Sequence, residues 1–89
     1  MKHIVKRAGH AETYDERKLY ASIYSICLSV MVPVGTAEIV AKEVTADVNS
    51  WIKDKQEVTS NDIRAQATKS LKSYSLDAAY MYLHHRVLH

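Results

Sequence analysis

Charged side chains of both signs lie close together near the start of the chain: Lys6 and Arg7, then Glu12 and Asp15, and then Lys18. Lysine and arginine donate hydrogen bonds to phosphate oxygens, and a carboxylate accepts them from the amino group of a base. This combination suits an anionic ligand that carries a flat apolar part. Lysine and arginine are also ordinary solvated residues on most protein surfaces, so the charges alone leave both interpretations open.

Apolar side chains could enclose the flat part of such a ligand if the fold brought them to the charges. A hairpin that folds over the helices after it would let Lys6 and Lys18 approach the same space. Four side chains are then expected to form the walls around a base: Ile4, Tyr14, Leu19 and Ile63.

Two short extended runs, residues 3–7 and 11–14, flank Ala8, Gly9 and His10 and predict a β-hairpin. Neighbouring residues of a strand point to opposite faces. One of Lys6 and Arg7 would therefore face a ligand, while the other reaches solvent or pairs with Glu12. A lone two-stranded hairpin is marginal in water, so this one must pack against the rest of the chain.

Two amphipathic helices are predicted directly after the hairpin. Asp15 is the predicted N-cap of the first helix, and Pro33 and Gly35 are predicted to end it. Thr36 is the predicted N-cap of the second helix, which would extend to Ile52. In both segments apolar residues recur at spacings of three and four, which is typical of one buried helix face.

Two further helices complete the predicted fold. A polar connection over residues 53–57 leads to the third helix, with Ser60 as its predicted N-cap, and the fourth helix would begin near Leu76. The inner face of the fourth helix is predicted to carry Ala79, Tyr80, Leu83 and Val87. The expected fold class is α+β and mostly α, a single domain over residues 1–89 with an N-terminal β-hairpin packed over a four-helix body.

The composition supports a small helical domain and excludes several classes of protein. Among 89 residues there are two glycines and one proline, too few for a fold that is rich in turns. The longest apolar run, residues 30–34, is far shorter than the roughly 20 residues that span a bilayer. A net charge of +2 is too small to indicate a nucleic-acid-binding protein. The single cysteine fits a reducing setting, so a cytoplasmic location is expected.

The opening of the chain resembles that of the ATP-cone, a nucleotide-binding regulatory domain of many ribonucleotide reductases and of a zinc-ribbon repressor of their genes. The resemblance is carried by residues 5–9, Glu12 and residues 14–19, with weaker support from residues 58–63 and 78–82. It implies a hairpin lid over four helices and binding of ATP or dATP, with or without Mg²⁺. Such a domain regulates a partner and does not catalyse a reaction.

The resemblance also implies a role for each matching position. Lys6 and Arg7 would contact phosphates, and Lys18 would reach the phosphate or ribose side. Glu12 and Asp15 would hold or read the adenine. Ser60 would meet the sugar-phosphate, and Arg64 would lie beside the ligand. The base pocket would be lined by Ile4, Tyr14, Leu19 and Ile63.

Some features depart from the family pattern. Ala8 stands where an aspartate usually precedes the turn glycine, so a side-chain hydrogen bond in the turn is missing. The chain stops at His89, and Arg86 is the residue expected to replace a basic residue that would otherwise follow the last helix. Because neither a reductase barrel nor a four-cysteine zinc ribbon is present, we expect a free-standing or excised domain.

Other candidate sites have weaker support. His85 and His89 are four residues apart and could share a helix face, with His84 adjacent, but no thiol or carboxylate completes a tetrahedral metal site. Cys27 lies on an apolar stripe, so we expect a small buried residue and not a nucleophile. The sequence shows no catalytic triad and no phosphate-binding glycine loop, so an enzyme is not predicted.

The predicted function is therefore reversible binding of ATP or dATP that modulates a protein partner or a homo-oligomer, away from membranes and nucleic acid. The alternative is a degenerate ATP-cone that acts as a protein–protein interaction module without nucleotide. That module would use an exposed surface that contains Tyr20, Tyr24 and Trp51, although the two tyrosines could instead flank the core with their hydroxyls in water.

Overall fold

The computed structural model describes residues 3–84 and has three strands and four helices in that range. The elements in chain order are β1 (Ile4–Arg7), β2 (His10–Thr13), α1 (Glu16–Ser29), α2 (Val34–Ile52), β3 (Glu57–Thr59), α3 (Ser60–Leu71) and α4 (Leu76–His84). The fold is α+β and mostly α, as predicted, with an N-terminal sheet and four helices after the hairpin.

The sheet has the strand order β2-β1-β3 and one strand that the sequence did not predict. β1 and β2 form the predicted antiparallel hairpin, and β3 pairs with β1 in parallel, with Val58 opposite Val5. β3 has three residues, of which only Val58 is buried. A strand this short has no detectable period of two, which is why residues 57–59 were not predicted to be a strand. β3 attaches the hairpin to the start of α3.

The hairpin turns on two residues, Ala8 and Gly9, between the paired residues Arg7 and His10. Both turn residues have positive φ, +42° at Ala8 and +90° at Gly9. This is the geometry of a type I′ turn, which favours asparagine followed by glycine. Alanine carries a steric cost at its position because its Cβ crowds the backbone in the left-handed region.

Replacing Ala8 by asparagine should therefore stabilise the domain. We expect Ala8→Asn to raise the free energy of unfolding by about 0.5–1 kcal/mol, since asparagine tolerates the left-handed region better than alanine. Urea denaturation monitored by circular dichroism measures the change. Ala11→Asn, on an exposed extended position of β2, is the matched control and should be neutral or slightly destabilising. Equal changes in both variants would contradict the strained turn.

Asp15 caps α1 as predicted, and its carboxylate accepts a hydrogen bond of 2.9 Å from the backbone N–H of Arg17. The predicted end of α1 and start of α2 were wrong. α1 ends at Ser29, and Met31 follows with a φ of +69°. α2 begins at Val34 with Pro33 as its N-cap, so Thr36 lies inside the helix. Proline is compatible with the start of a helix because the first N–H groups have no intrahelical acceptor.

The third helix begins one residue earlier than predicted, because Thr59 and not Ser60 is its N-cap. The Thr59 hydroxyl accepts a hydrogen bond from the Asp62 N–H, and the Asp62 carboxylate accepts one from the Thr59 N–H, each at 3.0 Å. This reciprocal capping box satisfies two donors at the helix end. Ser60 thereby becomes the first helical residue, with a half-buried side chain.

The core lies between the four helices and contains Cys27, as predicted. Burial raises the pKa of the Cys27 thiol, which keeps it protonated and unreactive. The fully buried side chains with the largest volumes are Ile23, Ile52, Leu71, Val44, Val48 and Cys27. None of the helices within residues 3–84 is both long enough and apolar enough to cross a membrane.

The predicted inner face of α4 was partly wrong. Ala79 is buried as predicted, together with Ala78 and Tyr82, whereas Tyr80 is 64% exposed and Leu83 is 38% exposed. α4 is apolar around most of its circumference, so its own pattern does not select the buried face. Val87 lies outside the described residues.

Candidate functional site

A cavity of about 250 Å³, here called the hairpin cavity, lies where the β-hairpin meets α1, α3 and α4. All of the predicted site residues except Ile4 and Lys6 line it: Arg7, Glu12, Tyr14, Asp15, Lys18, Leu19, Ser60, Ile63 and Arg64. The wall also contains four residues that were not predicted: Val5, Thr13, Ser22 and Tyr82. Residues from distant parts of the chain thus meet in one place.

Strand alternation separates Ile4 and Lys6 from this cavity. Val5 and Arg7 of β1 line the hairpin cavity, while the residues between and before them point to the other face of the sheet. The Lys6 ammonium lies 2.5 Å from the Glu57 carboxylate on β3, and the Lys6 side chain is 60% exposed. The expectation that Lys6 and Lys18 converge in one cavity is therefore not met, and the partner of Lys6 is Glu57, not Glu12.

A second cavity of about 540 Å³, here called the tip cavity, lies between the hairpin turn and the N-terminus of α3. Lys6, His10 and Asn61 line it, and it shares Arg7 and Ser60 with the hairpin cavity. Arg7 and Ser60 therefore border both cavities. The N-terminus of α3 adds partial positive charge beside them.

Arg64 is held at the α4 side of the hairpin cavity by Tyr82. One guanidinium N–H group donates a hydrogen bond of 2.7 Å to the Tyr82 backbone carbonyl. The guanidinium carbon also lies 5.0 Å from the centre of the Tyr82 ring, within range of a cation–π interaction. Both contacts leave further guanidinium N–H groups, so a fixed arginine faces the cavity.

The whole chain was compared with known protein families. The model of the family described as the ATP cone domain matches residues 2–89. The chain belongs to the ATP-cone family. Domains of this family are nucleotide-binding, regulatory and not catalytic, and they generally bind ATP or dATP. Comparisons with curated proteins and with solved structures find no match.

Tyr14 joins the hairpin of this ATP-cone to its helical body. Its hydroxyl donates a hydrogen bond of 2.7 Å to the Asn49 side-chain oxygen on α2. Burial, together with the nearby Glu16 carboxylate, raises the pKa of Tyr14 to about 12. Asp15 behaves in the opposite way, since the hydrogen bond from the Arg17 backbone N–H lowers its pKa. At neutral pH the site therefore contains a neutral phenol and an ionised carboxylate.

Stability of the ATP-cone should fall at high pH because of Tyr14. The unfolded chain releases the phenol proton near pH 10, whereas the native protein releases it near pH 12. Between these values ionisation stabilises the unfolded chain but not the native protein, so the free energy of unfolding falls. Solvent screens part of this effect at a half-buried group, and we expect a loss of about 1 kcal/mol. Urea denaturation at pH 9, 10, 11 and 12 should show a steeper fall for the native sequence than for Tyr14→Phe. Parallel curves would contradict the assigned pKa.

The remaining candidate sites have little structural support. Within residues 3–84, no three histidine, cysteine, aspartate or glutamate side chains form a group that could hold a metal. His85 and His89 of the predicted histidine cluster lie outside the described residues, as does Arg86. Tyr20 and Tyr24 stack with their ring centres 6.3 Å apart and are half-buried against the core.

Sequence reasoning missed Tyr82 and Asn49 for different reasons. Tyr82 lies four residues after Ala78, so a different choice of inner face for α4 would have included it. Asn49 carries no local signal, because its contacts with Tyr14 and Glu16 span more than 30 residues of sequence.

Proposed function

We propose that this ATP-cone binds ATP or dATP reversibly in the hairpin cavity and thereby changes its interaction with a protein partner. The observation that carries the proposal is that Arg7 and Ser60 line both the hairpin cavity and the tip cavity, so that the two cavities are neighbours. The base and ribose would lie in the hairpin cavity, and the triphosphate would extend past Arg7 toward the hairpin turn.

The size of the cavities supports this division. The hairpin cavity, at about 250 Å³, is slightly smaller than the 300–1,000 Å³ that is typical of small-molecule sites. The tip cavity adds about 540 Å³ and is largely polar in its lining residues. A nucleoside triphosphate therefore fits only if its phosphates leave the hairpin cavity for the tip cavity.

The charges support an anionic ligand with a base that carries an amino group. Arg7, Lys18 and Arg64 line the hairpin cavity and would donate hydrogen bonds to phosphate or ribose oxygens. Glu12 and Asp15 line the same cavity and would accept hydrogen bonds from an amino group, which adenine has at the position where guanine has a carbonyl oxygen. Lys6 would meet only the terminal phosphates, since it lines the tip cavity alone.

Regulation would follow from a population shift. Nucleotide contacts the hairpin and the helices at once, so it would favour the arrangement in which these parts are closed together. A partner that distinguishes this arrangement from an open one would respond to the nucleotide concentration. A cytoplasmic ribonucleotide reductase, or a repressor of its genes, is the partner that the family favours.

Isothermal titration calorimetry tests the proposal. ATP, dATP and GTP are each titrated into the full chain, with and without Mg²⁺. We expect saturable binding of ATP or dATP at micromolar to submillimolar concentration and at least 10-fold weaker binding of GTP. The absence of binding by both adenine nucleotides at millimolar concentration, to protein shown to be folded by circular dichroism, would refute the proposal.

The alternative function, a protein–protein interaction module without nucleotide, is favoured by one observation on α4. Leu76 is 72% exposed and lies in line with the exposed parts of Tyr80 and Leu83 at helical spacing. This row is an apolar surface that a partner could cover, whereas Tyr20, Tyr24 and Trp51 are half-buried. Light scattering discriminates between the two functions. An oligomer whose mass is the same with and without ATP, in a protein that shows no binding in the calorimetric titration, favours the alternative.

A further inference from the structure

Tyr14 is one of three residues that line two cavities of the ATP-cone, together with Thr13 and Asp15. Its side chain lines the hairpin cavity and also a cavity of about 640 Å³ at the edge between α1 and α2, here called the edge cavity. Asn49 lines the edge cavity and does not line the hairpin cavity. Of the three shared residues, Tyr14 is the one that is hydrogen-bonded to Asn49, so Asn49 can act on the nucleotide site through Tyr14.

A chain of hydrogen bonds fixes the orientation of this wall. The Asn49 amide nitrogen donates to the Glu16 carboxylate at 3.2 Å, which leaves the amide oxygen to accept from the Tyr14 hydroxyl at 2.7 Å. The Tyr14 backbone N–H donates to the His3 carbonyl at 2.8 Å. Tyr14 is thus held at its backbone by the segment before β1 and at its hydroxyl by α2.

Both hydrogen-bonded attachments of Tyr14, at its backbone and at its hydroxyl, affect the site because Tyr14 lies at the junction of the hairpin and α1. A ring held at one end only would sample several rotamers, and a ligand packed against it would have to restrict them on binding. Ordering such a side chain in advance increases affinity because that entropy has already been lost in the free protein. Asn49 is the residue of α2 that provides this second point of attachment.

We propose that Asn49 is a positioning residue for nucleotide binding, which holds the Tyr14 ring as a preorganised wall of the hairpin cavity; the inference rests on the function proposed above. Asn49 does not contact the ligand itself. Its effect on affinity therefore requires the Tyr14 hydroxyl and disappears when that hydroxyl is absent.

A double-mutant cycle on ATP affinity tests this role. The dissociation constant for ATP is measured by calorimetry for the native chain, Asn49→Ala, Tyr14→Phe and the double variant, at a temperature where circular dichroism shows each to be folded. We expect Asn49→Ala to weaken binding about 3- to 10-fold in the native background and less than 2-fold in the Tyr14→Phe background. Asn49→Gln, which keeps an amide, replaces Asn49→Ala if that variant does not fold.

The outcomes separate this inference from the proposed function. An equal loss of affinity in both backgrounds would mean that Asn49 acts through general stability, and unchanged affinity in Asn49→Ala would mean that it does not act on the site. Either result would overturn the positioning role while the native chain still binds ATP. A native chain that binds no ATP would overturn the proposed function and the positioning role together.

Discussion

Arg7→Ala should weaken ATP binding about 10- to 100-fold. Arg7 is the only cation that lines both the hairpin cavity and the tip cavity among the residues that the structure describes. A hydrogen bond to a charged group contributes about 1.5–3 kcal/mol, and each 1.4 kcal/mol corresponds to a tenfold change in the dissociation constant. Calorimetric titration of the variant with ATP measures the loss.

Two lysine variants test whether the loss of affinity depends on the position of the positive charge. Lys72→Ala removes one positive charge at an exposed residue after α3 and should change the dissociation constant less than 2-fold. Lys6→Ala should weaken binding about 2- to 5-fold, since the Lys6 ammonium is shared with Glu57 and lines the tip cavity only. A larger effect of Lys6→Ala than of Arg7→Ala would show that the face of β1 toward Glu57, and not the face toward Glu12, binds the phosphates.

Ile23→Ala should remove much of the stability of the domain. The Ile23 side chain on α1 is 0% exposed and belongs to the core between the helices. Truncation of a buried isoleucine to alanine costs about 2–5 kcal/mol, because apolar contacts are lost and a cavity remains. Small domains are stable by about 5–15 kcal/mol, and a chain of this length lies toward the lower end. We therefore expect a large fall in the urea midpoint, measured by circular dichroism.

Ile39→Ala is the matched control for this prediction. Ile39 lies on α2 and its side chain is 63% exposed, so the same truncation removes few contacts. Alanine also has a higher helix propensity than isoleucine, and the free energy of unfolding should change by less than about 0.5 kcal/mol. Comparable losses in the two variants would contradict the position of the core between α1 and α2.

The nature of the elements and most of the candidate site followed from local sequence. Asp15 caps α1 because its carboxylate reaches the N–H of a residue two positions later, an interaction that needs no tertiary contact. Gly9 and the flanking extended residues indicated the hairpin, because the conformation of a tight turn also depends on neighbouring residues only. The opening motif predicted a site around Arg7, Glu12 and Lys18, and these side chains do line one cavity.

Interactions between distant segments decided the rest. β3 exists because Val58 pairs with Val5 across more than 50 residues, and this pairing places the N-terminus of α3 beside the hairpin. The register of β1 then turns Arg7 toward the cavity and Lys6 toward Glu57, a choice that two adjacent cations do not reveal.

By itself, the sequence determined the hairpin, the presence of four helices and which charges gather near the hairpin. Local hydrogen bonds and helical periodicity act over a few residues and can be read directly from the chain. The tertiary structure alone decided which face of β1 meets the cavity, which side of α4 is buried, and that Asn49 holds Tyr14. These features depend on packing between segments that are far apart in sequence, where no local pattern specifies the partner.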